Sequence, residues 1–233
     1  MDYRFNGGGF VVKYIIMADG KSDRWQNYNS TPKHLIEING EPILKRTVRL
    51  LKENGIENII ITSHDKRYNF AKRYEPQNNE YEIDRFYSCL PIWESEMVFL
   101  YGDVFYSEEC IRKIINDTSK ETTYFGRLTL GKKKYPEIFA IKVMNNKQFE
   151  EICKTIRESI IDGSLERGIG WETYKLYCGK DLYMSNDDLT RWVTETEQPN
   201  FININDETDD FDYPEDLDRW LEINETKYNN TLL

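Results

Sequence analysis

Histidine and cysteine are scarce in this 233-residue chain, which has two of the first and four of the second. The cysteines, Cys89, Cys110, Cys153 and Cys178, stand far apart with no C-x-x-C pair. That spacing excludes the usual structural zinc patterns and a compact disulfide framework, and leads to an expectation of reduced thiols in a cytoplasmic protein. No apolar run reaches the roughly 18 residues that a membrane-spanning helix needs. Met1–Phe10, with its three glycines, lacks the apolar stretch and small-residue cleavage site of a secretory signal, and reads as an N-terminal extension. Basic residues are in the minority, 31 Lys and Arg against 41 Asp and Glu, for a net charge of −10. Such a balance argues against a general nucleic-acid partner, which requires a basic face to displace phosphate counter-ions. A phosphorylated ligand would have to be met by a few locally placed cations, helped by a divalent metal. Repeats, low-complexity tracts and Pro/Gly/Ser linkers are missing too, so residues 11–233 are expected to form one domain, with halves at about 11–120 and 121–233.

Aromatic residues are plentiful, at 14% of the chain with 16 Tyr, 11 Phe and 5 Trp, enough to build a core. Val11–Ala18 is a continuous β-branched run, as expected for a strand buried on both faces. Pro42 opens a helical stretch with Ile43, Leu44, Val48 and Leu51 on one face, closed by Asn54-Gly55. Asn58–Ser63 reads as a second strand, Ile83–Trp93 as a helix and Met97–Tyr101 as a third strand. Ser107 caps a further helix with Glu108 and Glu109 in its first turn. This alternation predicts an α/β fold with a largely parallel sheet and right-handed crossovers. In the second half, Thr122–Leu128 and Glu137–Val143 read as strands flanking the basic turn Gly131–Lys134. A helix over Lys147–Ile161, an aromatic patch at Gly170–Tyr177, the segment Phe201–Asn205, an acidic loop and an amphipathic helix at Pro214–Ile223 follow, suggesting an appended substrate lobe.

Three segments could carry chemistry. The first follows the opening strand: Met17, Ala18, Asp19, Gly20, Lys21, Ser22, Asp23 and Arg24, then Pro32-Lys33. In a parallel sheet this loop faces the ligand crevice, where glycine lets backbone N–H groups approach phosphate oxygens and Arg24 and Lys33 can add charge-assisted bonds. On spacing alone a solvated loop is as good a reading. The second is Gly102-Asp103, directly after a buried strand. The third is the acidic run Asp209-Asp210-Phe211-Asp212-Tyr213-Pro214-Glu215-Asp216. Oxygen-rich groups of this kind suit Mg²⁺, although a turn residue at 103 and a helix cap at 212–216 are the plainer alternatives.

Taken together, these segments resemble the nucleotidyltransferases of the GT-A-like superfamily, which includes MobA-like NTP transferases and the sugar-phosphate and phosphocholine cytidylyltransferases. The family's L-A-A-G-x-G-x-R-M, P-K-x-L and G-x-P-L-L are met here by Met17–Trp25, Pro32–Leu35 and Gly40–Leu44. Its metal-binding G-D is met by Gly102-Asp103, and its D-x-D-T-P-E-D-L by Asp210–Leu217. Asp19 stands for the second alanine and Ser22 for the second glycine. The resemblance implies a Rossmann-like three-layer α/β domain with a mostly parallel mixed sheet (the GT-A-like fold) and a small substrate lobe.

It further implies a reaction in which a phosphorylated metabolite attacks the α-phosphate of an NTP, with CTP the first choice, and pyrophosphate leaves. Lys33, Arg24 and Asp103 would be catalytic. Met17, Ala18, Asp19, Gly20, Lys21, Ser22, Arg24, Lys33 and Ser88 would bind nucleotide, and Asp103, Asp212 and Asp210 would hold Mg²⁺. Tyr135–Ile141 resembles the strand bordering the family's acceptor pocket, which nominates Glu137; Arg167 and Trp171 are further acceptor candidates. For Trp171 and Tyr174 a place in the core is the preferred reading, since aromatics at helical spacing usually pack. Two other functions stay open: a GT-A glycosyltransferase, disfavoured because Asp103-Val104-Phe105 lacks the second aspartate of D-x-D, and a catalytically silent nucleotide binder of the same fold. A homodimer is an open expectation.

Overall fold

The structure is a computed structural model that describes residues 12–25, 28–128, 136–224 and 227. The N-terminal extension Met1–Phe10 and the basic turn Gly131–Lys134 lie outside the described residues. A seven-stranded sheet organises the chain. Its strands are β1 (Lys13–Met17), β2 (Ile59–Thr62), β3 (Lys72–Tyr74), β4 (Met97–Tyr101), β5 (Thr123–Arg127), β6 (Glu137–Val143) and β7 (Phe201–Asn203). They lie side by side in the order β7-β5-β6-β4-β1-β2-β3. β1 pairs in parallel with both β2 and β4, and β6 alone among them runs antiparallel to its neighbours. The sheet is therefore mixed but mostly parallel.

Alternation along β1 feeds two layers. Tyr14 and Ile16 join a cluster with Leu44, Val48 and Leu51 of α1 (Ile43–Glu53) and Ile111 and Ile114 of α3 (Glu108–Asn116). Ile15 and Met17 point to the other face. They join Phe86 of α2 (Glu82–Tyr87), Phe149 and Ile156 of α4 (Asn146–Ile161), Tyr174 of α5 (Gly170–Tyr177) and Leu189 of α6 (Asn186–Glu195). A third, smaller cluster of Trp25, Phe105, Phe211 and Trp220 fastens α7 (Pro214–Ile223) beneath the loop after β1.

Several elements differ from the expectation. The helix read across Ile83–Trp93 stops at Tyr87, and a separate 3-10 turn covers Leu90–Ile92, because Pro91 has no N–H with which to continue α2. The aromatic patch at Gly170–Tyr177 is helix α5, in which Tyr174 is fully buried. Helix α6 and the three-residue edge strand β3 carry too thin an apolar pattern to be read beforehand. Among the described residues no helix is long and apolar enough to cross a membrane. The four cysteines are free thiols, three of them buried.

Candidate active site

The chain leaves β1 toward β2 and β3 on one side and returns to β4 on the other. Met17 and Tyr101, the last residues of β1 and β4, are register partners at this switch point, where parallel sheets open a crevice. A cleft of about 770 Å³ lies there. Gly102 makes the junction possible. Its N–H donates to the Met17 carbonyl at 2.9 Å, and a Cβ at this position would stand 2.7 Å from that same oxygen.

The loop after β1 is pinned by packing. Trp25 is buried and donates from Nε1 to the Thr31 carbonyl at 2.9 Å. A 3-10 turn at Lys33–Leu35, closed by Leu35 N–H to Pro32 O at 2.8 Å, then directs Lys33 inward. Opposite it, the two-residue strand Val104–Phe105 pairs antiparallel with Asp209–Asp210, and Phe211 N–H donates to Asp103 O at 3.0 Å. This ribbon brings Asp212 alongside Asp103. Asp216 of α7 accepts from the Asp212 and Tyr213 N–H groups at 3.1 and 2.9 Å, fixing the turn from below.

Lys33 is the hub. Its buried ammonium donates to Asp103 and lies 3.4 Å from Asp212 Oδ1, while Arg24 Nη2 reaches Asp212 Oδ2 at 2.8 Å. Burial works against the Lys33 charge, yet Asp103 and Asp212 outweigh it and raise its pKa. Burial would likewise raise Asp103, but Lys33 beside it holds that carboxyl at about 2. Asp212 is shifted upward by burial, with Asp103 and Asp210 adding repulsion against Lys33 and Arg24. His34, buried under the loop and 3.1 Å from the Tyr68 hydroxyl, is pushed down to about 4 by burial. Asp103 and Asp212, which meet on Lys33 Nζ in the lining of the cleft, offer all-oxygen donors of the kind that suits a hard divalent cation such as Mg²⁺.

Most of the residues singled out from sequence line this cleft: Met17, Gly20, Lys21, Ser22, Arg24, Lys33, Asp103, Asp210, Asp212, Glu137, Arg167 and Trp171. Three nucleotide-binding candidates do not. Ala18 is buried in the core. Ser88 turns back on its own loop, donating to Asn78 O at 2.9 Å and accepting from Asn78 N–H at 3.1 Å. Asp19 is buried with its carboxylate directed at neighbouring loops; it accepts from His64 N–H and His64 Nδ1, both at 2.9 Å, and from Asn79 Nδ2 at 3.0 Å.

Asp210 differs from Asp103 and Asp212 in its closest company. Its carboxylate clusters with those of Glu137 and Asp209, ligand atoms within 4.8 Å of one another. Arg127 enters that cluster, with Nη1 3.3 Å from Glu137 and 3.1 Å from Asp209. Glu137 thus faces the cleft while answering a buried arginine. Trp171 is almost wholly buried, donates from Nε1 to Pro136 O at 3.1 Å and stacks on Phe201 at 5.7 Å, so its role in packing is plain. Arg167 is exposed at the cleft wall. Sequence reasoning overlooked Glu82 and Arg85 of α2, both in the lining. Glu82 Oε1 accepts from the Tyr101 hydroxyl at 2.6 Å and from Gly170 N–H at 2.8 Å, and burial raises its pKa. The signal available was a short amphipathic turn, Glu82-Ile83-Asp84-Arg85, with Ile83 and Phe86 in the core.

Residues 14–123 match the family model described as the MobA-like NTP transferase domain. Among solved structures, the chain is similar to CTP:phosphocholine cytidylyltransferase from Streptococcus pneumoniae, at 16% identity and TM-score 0.52 over 91% of this chain and 98% of that one. It is likewise similar to the inositol-1-phosphate CTP transferase from T. maritima, at 14% identity and TM-score 0.56 over 93% of this chain and 98% of that one. At such identities these likenesses speak to the fold: both proteins share the Rossmann-like α/β architecture along nearly their full length.

Proposed function

We propose, from the match of residues 14–123 to the MobA-like NTP transferase domain, that this chain joins an NTP, with CTP the first choice, to a small phosphorylated metabolite and releases pyrophosphate. The observation that carries the reading is the convergence of Lys33, Arg24, Asp103 and Asp212 at the crevice between β1 and β4, beside the Gly20 loop. The CTP choice draws on the two structural relatives, each of which is named for a CTP-dependent transfer.

In this reading the acceptor's phosphate oxygen attacks the α-phosphorus in line, and the bond from that phosphorus to the bridging oxygen of pyrophosphate breaks. A phosphate nucleophile is already ionised near neutral pH, so no general base is required, and positioning and charge neutralisation dominate. Backbone N–H groups of the Gly20–Ser22 turn would contact the triphosphate. Lys33 would offset charge on the transferring phosphate, and Arg24 would clamp the leaving pyrophosphate. Asp103 and Asp212, with Asp210 nearby, would hold Mg²⁺, which supplies Lewis-acid neutralisation of the phosphates when bound. Glu137, Arg167 and Trp171 border the side of the cleft left for the acceptor.

The test is pyrophosphate release from the protein with Mg²⁺, each of the four common NTPs in turn, and pooled phosphorylated sugars, amino alcohols and amino acids, with and without EDTA. Release with one NTP and one pool, abolished by EDTA, supports the proposal and identifies both substrates once the pool is split. No release together with no NTP-induced rise in melting temperature overturns it.

A further inference from the structure

The acidic residues around Arg85 in sequence make their hydrogen bonds and ion pairs elsewhere, although Glu82 still feels the Arg85 charge. Glu80 pairs with Lys21 at 2.6 Å, and Asp84 pairs with Arg157 of α4 at 2.8 Å. Glu82, one helical turn before Arg85, spends Oε1 on the Tyr101 hydroxyl and the Gly170 N–H. Among the described residues Arg85 itself has neither an ion pair nor a side-chain hydrogen bond, and its Nε is a buried donor with no acceptor. Buried donors without partners are rare in folded proteins; Arg46 and Arg219 hold others away from the cleft, whereas the one on Arg85 belongs to a residue of the cleft lining, where an acceptor can arrive from outside.

Its location says what that acceptor is attached to. Arg85 lines the cleft and lies against the turn after β1, where a Cβ on Gly20 would come within 3.0 Å of Arg85 Nη1. Glycine at position 20 leaves room for the guanidinium beside the backbone of the loop. The other cations of this part of the cleft are already answered, Lys33 by Asp103 and Asp212, Arg24 by Asp212 and Lys21 by Glu80. Arg85 and the exposed Arg167 are the lining cations that no side chain neutralises at contact distance among the described residues, and of the two only Arg85 holds a buried donor without an acceptor.

We infer that Arg85 is a nucleotide-binding residue that receives a phosphate of the nucleotide, the α-phosphate in particular, from the α2 side of the Gly20 turn. The inference rests on the proposed nucleotidyl transfer and adds a residue to it. A guanidinium is suited to the task because its fork can donate two parallel bonds to phosphate oxygens.

The experiment is calorimetric titration of the full chain and of the variants Arg85→Met and Arg85→Lys with CMP, cytidine and inorganic phosphate. Arg85→Met keeps most of the side-chain volume and removes the charge. Its CMP affinity should fall about 10- to 100-fold, the scale of a charge-assisted hydrogen bond. Cytidine binding should be unchanged, and Arg85→Lys should recover part of the loss. Equal weakening of CMP and cytidine would mean that Arg85 reads the base, and unchanged CMP affinity would mean that it meets no phosphate; either overturns the inference. Arg85-dependent binding of inorganic phosphate with no binding of CMP would keep the anion site and overturn the nucleotide function. Absence of all three ligands from the wild-type protein overturns both. Melting temperatures of wild type and Arg85→Met that agree to within a few degrees, expected because the residue loses no hydrogen bond or ion pair and only its longer-range attraction to Glu82, separate the effect from misfolding.

Discussion

Lys33 and Asp103 form a buried ion pair in which the lysine is also shared with Asp212, 3.4 Å away, although these partners lie 70 and 179 residues from it in the chain. One ammonium is thus the counter-ion of two carboxylates that fit a divalent cation. A dication entering alone would sit beside that ammonium, whereas a triphosphate gives Lys33 and Arg24 other anions to meet. Metal and nucleotide binding should therefore be coupled, and the coupling is reciprocal. Mn²⁺ titration followed by electron paramagnetic resonance should show weak binding to the free protein and at least roughly tenfold tighter binding with a non-hydrolysable CTP analogue. Lys33→Met should bind Mn²⁺ without nucleotide more tightly than wild type, while its turnover falls about 10²-fold or more. Equal Mn²⁺ affinity in all these states would contradict the shared counter-ion.

The buried imidazole of His34 sets an acid limit on stability. Burial lowers its pKa from 6.5 to about 4 in the folded protein. Below the unfolded value the unfolded chain takes up a proton that the folded one refuses. Stability from this group is thus whole above pH 6.5 and drains away as pH falls toward 4. The full loss is roughly 3 kcal/mol on this shift. Asp103 continues the trend at lower pH: held at about 2 against an ordinary 3.8, it favours the folded state above the higher value and loses that advantage as pH falls through the lower one. Asp212, shifted upward, acts in the opposite sense. Urea unfolding at a series of pH values between 7 and 4.5 should give a steeper decline for wild type than for His34→Gln. Parallel declines would rule the imidazole out as the cause.

How far this was legible in sequence differs by residue. Lys33, Asp103 and Asp212 could be read because each follows a feature visible locally: a Pro-Lys turn, the end of a buried apolar strand, and a Pro-started helix. The strands β1, β2, β4 and β6 could be read because their cores are continuous runs of β-branched and aromatic residues. Arg85 could not, since what distinguishes it is that Glu80, Glu82 and Asp84 have partners elsewhere, a property of the packed molecule. The same holds for Arg127, whose buried charge is answered across the chain by Glu137 and Asp209. Helix α6 escaped because it buries only Leu189 and Val193, one turn apart, within a polar segment.

Two small residues beside the site should respond in opposite directions to exchange. Ser22 holds a φ of 56°, a left-handed conformation that costs a side chain about 1 kcal/mol and glycine almost nothing. Ser22→Gly should raise stability by up to about 1 kcal/mol. A methyl at position 102 would stand 2.7 Å from Met17 O, 2.9 Å from Ala18 Cβ and 3.1 Å from His34 Cδ2, with backbone on one side and core on the other. Gly102→Ala should therefore cost about 1–3 kcal/mol and shift Asp103 with it, lowering turnover beyond the stability loss. Thermal unfolding of both variants checks the signs. A destabilised Ser22→Gly or a neutral Gly102→Ala would mean that the loop relaxes more freely than its packing indicates.

Asp19 occupies the place of the second alanine in the resembling motif, and its surroundings say what the carboxylate does there. It gathers the loop after β1, the His64 turn after β2 and Asn79 ahead of α2 through three donors at 2.9–3.0 Å. The loop after β1 and Glu80, next to Asn79, line the cleft while the His64 turn stands outside its lining, so the carboxylate is placed to position the cleft wall from behind. Removing it with Asp19→Ala strips an acceptor from three donors, at a cost of about 1–3 kcal/mol, moderated by the exposure of His64 to water. The more telling readout is kinetic. Loops that must be ordered by the nucleotide itself draw on its binding free energy, so KM for the NTP should rise several-fold while kcat changes little. Asp19→Asn keeps one carbonyl oxygen in place and should fall between the two. Loss of kcat at constant KM would instead mean that the carboxylate influences the phosphates directly, and Asp19 would have to be counted with Asp103 rather than behind it.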